Sequence, residues 1–245
     1  MADTIISARD VTKVYCMGVE EVHALRGVSL DIERGQYVSI MGPSGSGKST
    51  FFNMVGGLDT PTSGDVVVEG FRLRDLNSRQ LAWFRCHRIG FIFQSFNLIP
   101  TMTAVENVAI SRVFLGATPR QAREEAAAIL DRVGLGHRLD HLPSEVSGGQ
   151  QQRIAIARAL VNRPTIVLAD EPTGNLDLKT GEEIIQRLNE MKAELGITII
   201  AATHDMKMLS ASDRVVWVQD GGISRVAEKG EVDIKIGSID GETVA

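Results

Sequence analysis

The chain is poor in the residues that build a covalent framework or a base-stacking surface. Only two cysteines, Cys16 and Cys86, stand among 245 residues and no CxxC occurs, which excludes a disulfide or zinc scaffold and points to a reducing compartment. Aromatics make up 5%, too few for a surface that stacks nucleic-acid bases. There is no basic excess: 26 Lys and Arg against 31 Asp and Glu leave a formal charge of −5, which disfavours nucleic acid and a polybasic membrane anchor. The longest apolar runs, at 197–202 and 215–218, fall far short of the roughly 18 residues that cross a bilayer. The opening MADTIISARD carries charges where a secretory leader needs an apolar stretch. The expectation is a chain soluble by itself, in the cytoplasm.

What is present fits an ordinary folded core, with 43% hydrophobic and 23% charged residues in one large domain or two small ones. Glycine, at 24 residues, exceeds the usual ~7% and clusters where chemistry can use it. Residues 5–11, 22–25 and 28–32 read as strands and hairpins, 37–41 as a short apolar strand, and 66–69 as another strand. Helical spacing covers 49–56, 120–133, 150–161 and 180–195, while 89–94, 165–169, 197–202 and 215–219 read as strands. Short apolar strands separated by helices predict an α/β fold whose parallel sheet is covered on both faces. The whole chain, 1–245, reads as one domain: a core of 1–97 and 148–228, a helical subdomain at about 98–147, and an uninterpreted tail at 229–245.

Gly42-Pro43-Ser44-Gly45-Ser46-Gly47-Lys48-Ser49 fits GxxxxGK[ST] between a strand and a helix, the context that motif needs. Its glycines let backbone amides converge on phosphate oxygens, and the helix carrying Ser49 and Thr50 adds the positive end of its dipole. Lys48 would reach the β- and γ-phosphates, and the Ser49 hydroxyl would sit on Mg²⁺. The run IVLADE at 166–171 delivers Asp170 and Glu171 to a strand's carboxyl end, where parallel sheets bind ligands. Asp170 would hold Mg²⁺ and Glu171 polarise the attacking water, although an acid after a strand also serves as a helix cap.

Ser147-Gly148-Gly149-Gln150 opens a second helix in the same manner. It reads either as plain capping or as a second phosphate-binding surface. Far along the chain from Lys48, such a surface cannot easily grip the same nucleotide within one chain. A head-to-tail pair of copies, each cradle facing the other's Ser147 turn, resolves this with two equivalent sites.

These motifs resemble the ATP-binding-cassette ATPases from about residue 5 to 226, most diagnostically in Val146-Ser-Gly-Gly-Gln150 lying between the P-loop and 166–171. The family's signature usually begins with Leu; here Val146 stands in its place. The resemblance implies an ATP- and Mg²⁺-dependent ATPase working with integral membrane transporter subunits, peripheral to the inner face of the membrane. It implies that Tyr15 stacks on adenine, Gln94 senses Mg²⁺ and the attacking water, Asp177 lies in the loop coupling the two sites, and His204 contacts the γ-phosphate. Each also has a plain reading: strand packing for Tyr15, a polar strand end for Gln94, a helix cap for Asp177, a loop histidine for His204. A membrane partner's helix would dock near 94–106, with Pro100, Met102 and Val105 as apolar contacts. Within the family, the runs SIMGPSG, GLDTPTSG and FQSFNLIP look most like ATPases of lipoprotein-releasing and macrolide-efflux systems. The cell-division ATPase is the alternative, and a soluble non-transport ATPase a weaker one.

Overall fold

The computed structural model describes residues 3–18, 20–203, 209, 211–231, 234–235, 238–239 and 242–243. The chain divides into two compact units, Met1–Phe84 with Thr198–Ala245, and Arg85–Ile197.

In the first unit, β1 (Thr4–Met17) pairs antiparallel with β2 (Glu20–Glu33) on one side and β4 (Ser63–Val68) on the other, with β5 (Phe71–Arg72) beyond β4. Sequence alternation predicts shorter strands here. It breaks because register shifts interrupt the pairing around Ala8–Val11 and Lys13–Val14, and Asp10 takes a positive φ of 48°. A bulge of this kind moves the next side chains to the opposite face, so one long strand reads as several fragments.

The same unit holds a second layer. β3 (Tyr37–Met41) runs parallel to both β8 (Thr198–Thr203) and β9 (Arg214–Gln219), and every residue of β3 and β8 is buried. Burial on both faces explains their near-continuous apolar runs. β10 (Gly222–Glu228) pairs antiparallel with β9 and is absent from the sequence reading; its burial falls mainly on Ala227, so it offers no apolar run to detect. β3 leads through a glycine-rich loop into α1 (Lys48–Val55), whose Phe51, Phe52, Met54 and Val55 are buried. Each such side chain contributes about 1.5–3 kcal/mol relative to exposure. In the tail, Ile234–Lys235, Ser238–Ile239 and Glu242–Thr243 form a short antiparallel meander.

α2 (Ser78–Arg88) leads into the second unit, where β6 (Ile89–Ile92) and β7 (Ile166–Asp170) pair in parallel. Between them come α3 (Ala104–Phe114), α4 (Pro119–Arg132) and α5 (Gly148–Leu160). α6 (Leu178–Leu195) follows β7 and ends at Gly196, whose φ of 65° suits a residue without a side chain. The starts of α3, α4 and α5 are fixed by capping boxes at Thr103, Thr118 and Ser147. No helix of the described residues is long and apolar enough to cross a membrane.

Candidate functional site

The glycine-rich loop of the first unit is built so that no side chain can intrude. Gly42, Gly45 and Gly47 have φ values of 155°, 78° and 107°. A Cβ on Gly42 would lie 2.1 Å from the Val218 carbonyl oxygen, and one on Gly47 would lie 2.5 Å from that of Ala24. Pro43, Ser44 and Gly45 are exposed, whereas Ser46 and Lys48 are buried. The Lys48 ammonium donates to the Gly42 and Pro43 carbonyls at 2.6 and 2.9 Å, which curls its side chain back over the loop.

α1 begins on Gly47 with no side-chain cap and no acid in its first turn. Ser46 Oγ is buried without a hydrogen-bond partner. An uncapped helix start beside an orphaned hydroxyl and an enclosed cation fits an anionic ligand that supplies the missing acceptors. A triphosphate fits this cradle.

Tyr15, on β1 of the same unit, sits in a polar cluster. Its hydroxyl donates to Asp59 Oδ2 at 3.0 Å, while the Lys13 ammonium donates to Asp59 Oδ1 and the Thr60 carbonyl, each at 2.8 Å. Lys13 Nζ also lies 4.9 Å from the Tyr15 ring centroid, in cation–π range. Partial burial, then the Asp59 carboxylate, hold the Tyr15 phenol above its usual range, with Thr50 of α1 pulling the other way. The Asp59 amide donates to the Asn53 carbonyl of α1 at 3.2 Å, so the cluster is tied to the helix that leaves the glycine loop. Lys13 and Asp59 were not legible as site residues. Only their spacing from Tyr15, if the strand pairing were known, would have found them.

In the second unit, β7 delivers Asp170 and Glu171 to its carboxyl end, and Glu171 takes a φ of 46°. A non-glycine residue held there stores strain of the sort that collects at functional sites. A turn follows, with the Gly174 amide donating to the Glu171 carbonyl at 3.0 Å. Gly174 brings two candidate groups together: a Cβ on it would lie 2.8 Å from Gln94 Nε2 and 3.3 Å from Glu171 Oε2. Asn175 Nδ2 donates to the Gln94 carbonyl at 2.9 Å. The Gln94 amide and the Glu171 carboxylate thus flank one small gap lined by backbone.

Ser147 caps α5 in a reciprocal box: its Oγ accepts from the Gln150 amide at 3.3 Å, and its own amide donates to Gln150 Oε1 at 2.9 Å. The amides of Gly148 and Gly149 lie outside that exchange. Gly149 must be glycine, since a Cβ there would lie 2.4 Å from Thr180 Cγ2. Thr180 is in turn held by Asp177, which caps α6 by accepting from the Thr180 amide and hydroxyl at 3.1 and 2.6 Å. These bonds hold the exposed Asp177 carboxyl below the usual range. The Ser147 turn and the Asp177 turn therefore adjoin. His204 lies outside the described residues.

A loop of glycine amides running into an uncapped helix, with a lysine folded over it, defines a nucleotide-phosphate-binding α/β protein. The comparisons carry this further. The family model described as ABC transporter matches residues 25–174, and the chain belongs to that family, as one of its ATPases. It is 45% identical to the lipoprotein-releasing system ATP-binding protein LolD of Shewanella denitrificans, over 90% of this chain and 95% of that protein. It is 47% identical to the macrolide export ATP-binding/permease protein MacB of Rhodopirellula baltica, over 89% of this chain but 32% of that longer protein. Among solved structures, the dimeric post-hydrolysis state of the ATP-binding cassette MJ0796 bound to ADP and Pi superimposes with a TM-score of 0.85 and 44% identity, covering 91% of this chain and 98% of that one.

Proposed function

We propose that this chain drives an ABC transporter by closing, with a second copy arranged head to tail, around two ATP molecules. The observation that carries the reading is the uncapped, glycine-lined start of α1, with Lys48 and Ser46 enclosed beside it. The loop of residues 42–47 cradles the phosphates with its backbone amides, Pro43 shaping the turn without donating, Lys48 meets the β- and γ-phosphates, and Ser49 and Thr50 complete the cradle at the helix start. Tyr15 stacks on adenine. Glu171 takes the proton of the attacking water, Gln94 orients that water, and His204 contacts the γ-phosphate.

Oxygen donors on Ser49, Asp170 and Gln94 suit a hard cation and would hold Mg²⁺. When bound, Mg²⁺ offsets charge on the β- and γ-phosphate oxygens. The Ser147-Gly148-Gly149-Gln150 turn of the second copy closes on the γ-phosphate. Asp177, bonded to the Thr180 that Gly149 abuts, relays the state of one site to the other. The dimeric assembly of MJ0796 supports a pair.

In this reading 1–97 and 148–228 form the core and about 98–147 a helical subdomain that receives the membrane subunits. A groove of about 570 Å³ along α3 and the start of α4 supports a docking surface there, and Met102 and Val105 line it with Ile110 and Val113. Pro100 is exposed but does not line it. The chain thereby acts peripherally, on the inner face of the membrane. Likeness to LolD and MacB supports lipoprotein release or efflux by mechanotransmission, with a cell-division-type role as the alternative.

Complementation tests the shared site. Chains carrying Lys48→Ala and chains carrying Ser147→Arg are each expected to be inactive, while their mixture regains ATP hydrolysis. One of the two sites in a mixed pair then has both an intact Lys48 and an intact Ser147. A mixture no more active than either parent would remove the head-to-tail arrangement.

A further inference from the structure

Gln94 is followed by a loop in an unusual conformation. Phe96 and Asn97 both take positive φ, 60° and 50°, which L side chains seldom adopt, and the Asn97 amide closes a tight turn onto the Ser95 carbonyl at 2.6 Å. The carbonyls that this backbone turns outward are both taken by one side chain. Arg158, in the third turn of α5, donates to the Phe96 carbonyl at 2.7 Å and to the Asn97 carbonyl at 2.5 Å.

No acid faces that guanidinium among the described residues, and burial alone depresses its pKa. A cation removed from water without a counter-ion is costly to fold. Two backbone carbonyls held by a planar fork are what offset that cost here. The loop has a second foothold on the same helix: the Phe96 ring lies against the first turn of α5, with Cζ 3.9 Å from where a Cβ on Gly148 would be. Gly148 and Arg158 are separated by about 15 Å along a helix axis. Phe96 thus meets α5 through both its carbonyl, at Arg158, and its ring, at Gly148, and the two contacts together restrain the loop against the helix.

We propose that Arg158 is a positioning residue that locks the Gln94 loop to α5, so that the Gln94 amide and the Ser147 turn move as one rigid piece. Contacts that a membrane subunit makes near Gln94 would then reach the γ-phosphate-binding turn without loss. The inference rests on the assignment of Gln94 to the attacking water. Arg158 itself touches neither nucleotide nor water.

The test uses the full chain, with ATP affinity measured by equilibrium dialysis and turnover by phosphate release. Arg158→Met is expected to lower kcat about tenfold or more while ATP affinity stays within about twofold, because the phosphate cradle belongs to other residues. Adding Asn97→Gly to Arg158→Met is expected to restore several-fold of kcat, since glycine holds a positive φ without help. Should Arg158→Met not fold, Arg158→Lys, whose ammonium lacks the fork, carries the same comparison. An unchanged kcat, a parallel loss of affinity and kcat, or a kcat loss that Asn97→Gly does not relieve would each overturn the proposal. Gln94→Ala separates the two readings: if it leaves kcat intact, the role of Gln94 falls, and the lock falls with it. If Gln94→Ala lowers kcat and Arg158→Met does not, only the lock falls.

Discussion

Two helix starts in this protein face the same physical problem and solve it differently. α1 leaves its glycine loop with no side chain capping it and no acid in its first turn. α5 leaves its own glycine pair already closed by the Ser147–Gln150 box. The first four amides of any helix need acceptors. At α1 no side chain supplies one, so that end suits the phosphate proposed for it. At α5 part of the need is met internally, and what remains is the pair of amides on the half-buried Gly148 and Gly149. An end that is partly satisfied binds an anion weakly alone and needs the ligand presented to it in place. For the proposed head-to-tail pair the contrast sets an order: nucleotide would load on α1 first, and α5 of a second copy would close on it afterwards.

The largest effect should come from disabling the open end. Lys48→Ala removes the buried cation folded over the loop and is expected to cut hydrolysis by about 100-fold or more, with weaker nucleotide binding. Phosphate release and dialysis measure both; turnover near the wild-type rate would erase the distinction between the two ends.

The capped end should respond differently. Ser147→Ala deletes the cap and should cost α5 about 0.5–2 kcal/mol, read as a modest fall in thermal midpoint. Loading of ATP on the single copy should be unchanged. In a Glu171→Gln background, where ATP is expected to persist uncleaved, the dimer fraction on a sizing column should fall. A matching loss of ATP affinity in the single copy would mean both ends serve one nucleotide in one chain.

The same contrast explains what could be read from the sequence alone. The loop at 42–49 and the pair Asp170–Glu171 are contiguous, and the reasons for them are local: no Cβ, a helix start, a buried strand's end. They were visible as motifs. Position 149 was visible as glycine, but the need for it, an approach to Thr180, is a contact between elements. Nothing in the sequence pointed to Arg158; its partners are backbone carbonyls whose availability depends on the φ angles of Phe96 and Asn97. The full length of β1 and β2 was hidden by bulges that break the two-residue period. Asp177 was read both as a relay and as a cap, and its cap is present.

The smallest effect sharpens the open end further, by separating base from phosphate. Lys13 lies against one face of the Tyr15 ring and Asp59 holds its hydroxyl, so a base can stack only on the other face of a ring already fixed in place. Burial pushes the Asp59 carboxyl up, but Lys13, the Thr60 amide and the Tyr15 hydroxyl more than reverse this and hold it below its usual range. A carboxyl whose folded pKa is depressed lends its stabilisation above the ordinary carboxylate range and loses it as pH falls toward the lowered value. Asp59→Asn is therefore expected to weaken ATP binding about 2- to 10-fold near neutral pH, the size of an aromatic or cation–π contact, with the difference from wild type shrinking in acid. Inorganic tripolyphosphate, which has no base to stack, should compete equally well against both proteins. If it too binds more weakly to Asp59→Asn, the cluster acts on α1 and its phosphates through the Asn53 tether, and the base contributes nothing through Asp59.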